Sequence, residues 1–394
     1  MISAMATFAP DAAPASRTKS PIRVASSALT DPEQAIREIF GALDAPTLAG
    51  ILLFCSSRYD LNALAKAIAL RCEDITIVGC TSSSEIGPEG LSDGEIVAIG
   101  FPAEDFTLSA TRFDRLDDFD TAHAQQRVRE LVAEAAEGAR RLDGPISRAA
   151  IFLVDGLSHR EEMLTVTVQD ALGEIPLIGG SSGDGLAFKE TFVLEGGRFH
   201  RDAAVVAILS SRRPLRVFRH QPYQPGAVKM VITGADSVER IVTEINAEPA
   251  AAEYARLAGV QESDLGPGVF ARHPPMVRAG GEYYVRSIQS ANPDGSLTFY
   301  CAIDEGIVLT LGESNDMMRG LDTLFDTLDG DVGGIDRVLG FFCVLNTIDL
   351  EQRQLIQPVS RLLTDRKVVG FTTYGEQFHA LHVNQTFSGL AIGR

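Results

Sequence analysis

The sequence predicts a mixed α/β (α+β) fold: repeated strand-helix-strand modules in mixed sheets, with an antiparallel meander in the C-terminal half. Three observations carry this. A phrase of two apolar residues, a glycine, one variable residue and two hydroxyl residues occurs three times, as Ile77-Val78-Gly79-Cys80-Thr81-Ser82, Leu177-Ile178-Gly179-Gly180-Ser181-Ser182 and Val368-Val369-Gly370-Phe371-Thr372-Thr373. An acid follows each: Glu85, Asp184 and Glu376. Apolar runs of strand length lie upstream at 51–55, 150–154 and 338–344, and downstream at 96–101, 203–209 and 386–392. Hairpin signals at regular spacing mark 275–312.

Taken in chain order, residues 1–21 read as a disordered tail. They are small and polar, and Arg17 and Lys19 follow the mildly apolar stretch, the reverse of a secretory signal, which predicts a cytoplasmic protein. A first domain is expected over 22–218 with two modules. Helical spacing places Leu61, Leu64, Ala65 and Ile68 on one face behind an Asp60 N-cap, and Met163, Val166, Val168 and Leu172 on another headed by Ser158. Residues 104–144 hold a long Ala, Glu and Arg-rich outer helix. The run SSRRPLRVFRHQPYQPG at 210–226 marks a boundary, and a second domain is expected over 219–394. There, 237–245 and 249–257 read as two helices. Gly280-Gly281, Asn292-Pro293-Asp294-Gly295 and Glu305-Gly306 separate strands at 283–288, 297–303 and 307–311. A last helix carries Leu355, Ile356, Val359, Leu362 and Leu363, with Asp349 as its N-cap.

Composition sets the outer limits on function. With 394 residues, 45% of them hydrophobic, the chain has apolar mass for two or three packed domains. Fifty-three acidic against 35 basic side chains leave a formal charge of −18, which opposes phosphate backbones and anionic lipid. The apolar runs stop well short of the ~18 to 20 residues that cross a bilayer. Neither nucleic acid nor membrane is an expected partner. Cys55, Cys72, Cys80, Cys301 and Cys343 stand singly, as small core residues in a reducing compartment would.

The glycine and hydroxyl turns offer backbone N–H groups and short donors at strand ends, where open α/β sheets place ligands. On that reading Thr81, Ser82, Ser181, Ser182 and Thr372 line a site. The structural alternative gives the glycines to tight turns and the hydroxyls to the local backbone. Residues 179–183, GGSSG, also satisfy G-x-S-x-G and make Ser181 a candidate hydrolase nucleophile, although the following segment reads as loop and strand rather than the helix an elbow requires. His379 and His382 stand three apart, yet 383–390 alternates as a strand, which turns such residues to opposite faces. Arg286 shares a strand face with Tyr284 and Ile288 and needs either a carboxylate such as Glu376 or Asp304, or an anionic ligand. Tyr374, Glu376, Asn384 and Thr386 are polar residues at strand ends, placed to line a pocket between the domains.

From about Ile22 to the C-terminus the chain resembles the FIST family of bacterial sensory proteins, in both its N-terminal and C-terminal domains. The resemblance is carried by IVGCTSSSEI at 77–86, IPLIGGSSGDGLAF at 175–188, EINAEPAAAEYARLAG at 244–259, YYVRSIQ at 283–289, DGSLTFYCAIDEGIVL at 294–309, VVGFTTYGEQ at 368–377 and HVNQTFSG at 382–389. It implies a small-molecule sensor without established catalysis. The last two phrases look most like the subgroup that includes nitric-oxide-sensing haemoproteins. That subgroup's partners are a histidine kinase or a cyclic-di-GMP enzyme, a diguanylate cyclase or phosphodiesterase. The subgroup implies haem b as a cofactor, with His382 the first candidate for its axial ligand because it lies inside the matched motif. The chain departs from the subgroup at Phe342 and Asn346, where the pattern favours Asp and Arg. A colourless metabolite such as an amino acid is the competing ligand, and a hydrolase acting through Ser181 is the alternative of a different class.

Overall fold

In the computed structural model, which describes residues 22–71 and 75–394, the three phrases mark three copies of one unit. The first runs β1 (Arg23–Ser27), α1 (Pro32–Leu43), β2 (Leu48–Ser56), α2 (Leu61–Ala69), β3 (Thr76–Ser82), a hairpin of β4 (Ser84–Gly87) and β5 (Gly90–Ser92), and β6 (Ile96–Pro102). The second repeats it as β7 (Phe106–Asp114), α3 (Thr121–Gly138), β8 (Ser147–Val154), α4 (Glu161–Leu172), β9 (Leu177–Ser181), β10 (Val193–Glu195), β11 (Arg198–His200) and β12 (Ala203–Ser211).

The third unit opens with β13 (Leu215–His220) and is interrupted by an inserted block. That block holds β14 (Tyr223–Asp236), β15 (Ile241–Ile245), β16 (Glu248–Pro249), α5 (Ala250–Ala258), α6 (Pro267–Arg272), β17 (Pro275–Ala279), β18 (Glu282–Val285), β19 (Ile288–Ala291), β20 (Leu297–Phe299) and β21 (Val308–Ser314). The unit resumes with α7 (Met317–Asp331), β22 (Ile335–Cys343), α8 (Val344–Gln352), α9 (Ile356–Asp365), β23 (Val368–Thr373), β24 (Glu376–Phe378), β25 (Leu381–Val383) and β26 (Phe387–Gly393).

Each unit builds a mixed sheet of the same order, and each sheet is completed by a hairpin from another unit. The orders are β1-β6-β2-β3-β10-β11, β25-β24-β9-β8-β12-β7 and β13-β26-β22-β23-β4-β5. The second unit's hairpin therefore finishes the first sheet, the third's finishes the second and the first's finishes the third. Only β2/β3, β8/β9 and β22/β23 are parallel within these sheets, and each parallel pair is spanned by the helices between its strands. Inner faces meet in one core, where Phe371 lies 4.7 Å from Phe54 and 5.5 Å from Phe341 between ring centroids. Outer faces are covered by α1 and α2, by α3 and α4, and by α7 to α9.

The repeated glycine has a packing reason that differs from the tight turn considered above. Gly79, Gly179 and Gly370 lie inside strands, and an added Cβ would stand 1.7, 1.8 and 1.8 Å from the carbonyl oxygens of Leu53, Phe152 and Gly340 on the parallel neighbour. No other residue fits there. Beyond the glycines the three phrases hand hydrogen bonds round a ring. Ser83 N donates to Thr372 O at 3.0 Å, Gly183 N to Thr81 O at 3.0 Å, and Thr373 Oγ1 to Ser181 O at 2.7 Å.

Asp60 caps α2 as expected, accepting from Asn62 N and Ala63 N. Other expectations are corrected. Residues 241–245 are strand β15 rather than helix, because four of the five are β-branched and β14 supplies the missing hydrogen-bond partners. Asp349 sits inside α8, paired with Arg353 at 2.8 Å, and α9 begins only at Ile356, so it caps neither helix. Arg160, two residues after Ser158, is the N-cap of α4. The expected meander is a curled antiparallel sheet ordered β18-β17-β21-β14-β15-β20-β19, and the strand read at 283–288 breaks into β18 and β19 at Arg286-Ser287. The tail at 1–21 and Cys72 lie outside the described residues.

Candidate functional site

Because the three hairpins add to equivalent strands, register makes their residues comparable one by one. Opposite the phrase glycines stand Leu194, Gln377 and Ile86, and across each hairpin these face Phe199, His382 and Leu91. In two hairpins the pair is apolar and packs into the core beneath the covering helices. In the third the same two places hold Gln377 and His382, both buried. A polar pair in an apolar slot requires partners. Gln377 Nε2 donates to Ser181 Oγ at 3.0 Å and to His382 Nδ1 at 3.2 Å, whereas Gln377 Oε1 and His382 Nε2 have none.

With Nδ1 accepting from the Gln377 amide, the hydrogen-bond network assigns the ring proton to Nε2. Burial holds the imidazole pKa below its ordinary value, so the ring is neutral at pH 7 and presents an unpaired N–H. Glu161, Glu162, Arg240 and Arg286 are the charges that bear on it. Asn384 adds a second open donor: its Nδ2 is unpaired, and its Oδ1 lies 3.5 Å from Ser287 N. Gly375 lets His382 and Asn384 close on the backbone, since an added Cβ would stand 2.3 Å from His382 Cε1 and 3.0 Å from Asn384 Nδ2.

Arg286, at the break between β18 and β19, is half-buried, and no described carboxylate comes within 4.0 Å of its guanidinium. The buried Cys301 thiol lies beside it, whereas Glu376 and Asp304 do not come within 4.0 Å of it. A guanidinium, an amide N–H and an imidazole N–H thus face one region without an acceptor, and Gln377 Oε1 is the open acceptor beside them.

Glu376 points to the opposite face of β24 from Gln377. Its counterpart by register is Glu85, since they face Gly180 and Phe371, each one residue after the phrase glycine. Glu85 is closed: Ser82 Oγ bonds one carboxyl oxygen and Glu95 N donates to the other at 3.0 Å. Glu376 is closed on one side only. Thr386 N and Oγ1 donate to Oε2 at 3.2 and 2.7 Å, and Oε1 is unpaired because Thr373, which stands where Ser82 does, turns its hydroxyl to Ser181 and Gly375. Burial pushes the Glu376 carboxyl up to about 8 and the Glu85 carboxyl to about 7. Asn346, donating to Thr386 O at 3.1 Å, leaves a further open acceptor, Oδ1.

The residues singled out in the sequence divide accordingly. Arg286, Glu376, Asn384, Thr386, Ser181 and His382 gather about the segment from Gly375 to Thr386, and Tyr374 adjoins it, its hydroxyl on Asp184. Thr81 accepts from Phe192 N at 3.1 Å, Ser82 serves Glu85, Thr372 bonds Ser84 Oγ at 2.8 Å, and Ser182 donates to Val154 O at 3.2 Å; each is satisfied inside the ring of turns. Gln377, Glu161, Glu162 and Arg240 escaped sequence reasoning, which read Cys301 only as a core residue and Asn346 only as a departure from the subgroup pattern. Aligning the three hairpins would have found Gln377 and His382, the polar pair among apolar ones. Open surface depressions lie elsewhere, one of about 540 Å³ beside Asp31 and Arg37 and one of about 470 Å³ between His220 and Arg319, and neither contains this chemistry.

Family models match the chain over nearly its whole described length: the FIST N domain over residues 50–248 and the FIST C domain over 250–379. The chain belongs to the FIST family. FIST domains are small-ligand sensory domains of signal transduction. No curated protein matches the chain. Among the described residues of this FIST protein no helix is long and apolar enough to cross a membrane.

The groups around His382 do not fit haem. An axial imidazole needs a bare nitrogen toward iron and a flat apolar slot for the macrocycle. Here the Gly375 backbone closes on the ring edge, and Glu161, Glu162, Arg240 and Arg286 all act on the ring, so the slot is neither open nor apolar. Ser181 is fully buried at the end of β9, with Gln377 between it and His382 and no helix following, so the nucleophile-elbow context is missing.

Proposed function

We propose that this FIST protein is a cytoplasmic sensor of a small organic carboxylate, of the amino-acid class, and that it passes occupancy to a separate partner such as a histidine kinase or a cyclic-di-GMP enzyme. One observation carries the reading: Asn384 Nδ2 and His382 Nε2 are buried donors with no protein acceptor, Arg286 beside them has no carboxylate partner, and His382 stands where the equivalent residues of the other two units, Phe199 and Leu91, are apolar. A carboxylate accepts from a guanidinium and two N–H groups at once. Gln377 Oε1 then accepts from an ammonium on the same molecule. Haem is disfavoured by the Gly375 backbone against the imidazole edge and the charged groups near it, and hydrolysis by the burial of Ser181.

Signalling follows from position. The donors come from the inserted sheet (Arg286) and from the hairpin that the third unit lends to the second sheet (His382), so a ligand bridging them favours one arrangement of the two by its differential affinity. The test is titration calorimetry of the purified protein against amino acids and small dicarboxylates, with an absorption spectrum before and after haem. Saturable binding of a carboxylate with no Soret band supports the reading. A stoichiometric Soret band, or no binding across the panel, overturns it.

A further inference from the structure

The wall behind Arg286 is a closed ring. Arg240, between β14 and β15, is 3% exposed and adopts φ +57°, a left-handed conformation uncommon for a bulky residue. Its Nη2 donates to Glu161 and Glu162, at 2.7 Å each, and its Nη1 donates to the carbonyl of Tyr300. Glu162 in turn accepts the N–H of Ala302 at 2.7 Å. The ring thus runs from the guanidinium to Tyr300, along the chain to Ala302, and back through Glu162, joining the inserted sheet to the first turn of α4 in the second unit. Cys301 lies between Tyr300 and Ala302 in this ring, fully buried, with its thiol beside the Arg286 side chain.

We propose that Arg240 is a positioning residue for the ligand site: by clamping residues 300–302 against α4 it aims Arg286 toward His382, and releasing the clamp opens the site. The inference rests on the reading of Arg286 as the carboxylate anchor. A planar fork that serves three acceptors in fixed directions is what this place demands, and a lysine ammonium, with one nitrogen on a flexible stem, cannot reproduce it. Burial of the ion pair alone would be weak evidence for stability, but a buried arginine that fixes residues 300–302 of its own block and two carboxylates of α4 at once holds the two units in one relative geometry.

The clamp is tested without any ligand by alkylating the intact protein with iodoacetamide and following Cys301, Cys343, Cys55 and Cys80 by peptide mass spectrometry. Arg240→Lys is expected to speed Cys301 labelling at least about tenfold, the equivalent of one charged hydrogen bond lost, with Cys55 and Cys80 unchanged. Glu162→Gln, which keeps an oxygen for Ala302 N–H and loses the charge, is expected to raise labelling at the same cysteine by less. Unchanged Cys301 labelling in both variants, or a rise only in step with Cys55 and Cys80, overturns the proposal. A carboxylate found by titration should bind about tenfold more weakly to Arg240→Lys, and equal affinity would also overturn it. If no carboxylate binds the wild type, the functional reading fails while the labelling result still decides the clamp.

Discussion

Replacing Glu376 by Gln should make the protein more stable, and increasingly so as pH rises. In the unfolded chain the carboxyl titrates near 4.5, whereas in the folded protein burial holds its proton up to about 8. Between those values the folded state binds more protons than the unfolded one, so stability is fully present below pH 4.5 and is lost as pH climbs through the window. At about 1.4 kcal/mol per pH unit, the wild type is penalised by on the order of 3 kcal/mol at pH 7 and on the order of 5 kcal/mol above pH 8. The Gln carbonyl can still accept from Thr386 N and Oγ1, and its amide nitrogen takes the place of the already unpaired Oε1. Urea unfolding at pH 5, 7 and 9 measures the difference directly. Near-equality at pH 5 and a stabilised variant at pH 7 and 9 are expected. A pH-independent difference would mean that Glu376 titrates normally, and would refute the argument from burial.

Arg286→Met should weaken carboxylate binding about a hundredfold, the loss of a charge-assisted hydrogen bond of about 2 to 3 kcal/mol, and leave the unfolding midpoint nearly unchanged. Calorimetry and urea titration on the same preparation check both halves; lost stability with intact affinity would make Arg286 structural. Gly179→Ala and Gly370→Ala force a methyl into a backbone carbonyl and should leave little soluble protein, whereas Gly138→Ala, on a helix with open space around it, should stabilise by about 0.5 to 1 kcal/mol; thermal melts and soluble yield compare them. Ser181→Ala should cost about 1 kcal/mol through the lost acceptor for Gln377 and leave any esterase background unaltered, as read by an ester-substrate assay beside urea unfolding.

Much of the local architecture is legible without coordinates, because it depends on residues close together in the chain. The apolar spacing of Leu61, Leu64 and Ile68 and the Asp60 cap specify a helix wherever it packs, and the strands flanking each phrase follow from continuous apolar runs. Residues 237–245 show the limit. Their spacing suits a helix as well as a strand, and the choice falls to β14, which offers a ladder that no local pattern reveals. Asp349 shows it again: an aspartate ahead of an apolar periodic run resembles a cap, but α8 had already begun at Val344.

For the candidate site the division is similar. Sequence alone determined the threefold repeat, the acidic composition and the polar character of Arg286, Glu376, Asn384 and Thr386. It also brought His382 forward, though as a haem ligand. Only the tertiary structure decided that the hairpins are exchanged between units, that Gln377 and His382 fill a place that is apolar elsewhere, and that Glu85 is closed where its counterpart Glu376 is open. It also decided that Arg240 reaches residues some sixty to eighty positions away to hold the wall of the site. Periodicity and capping are written within a few residues, and short-range energies favour them in any context. A hydrogen bond left unmade is a property of everything that packs around an atom, and it exists only once the whole chain has folded.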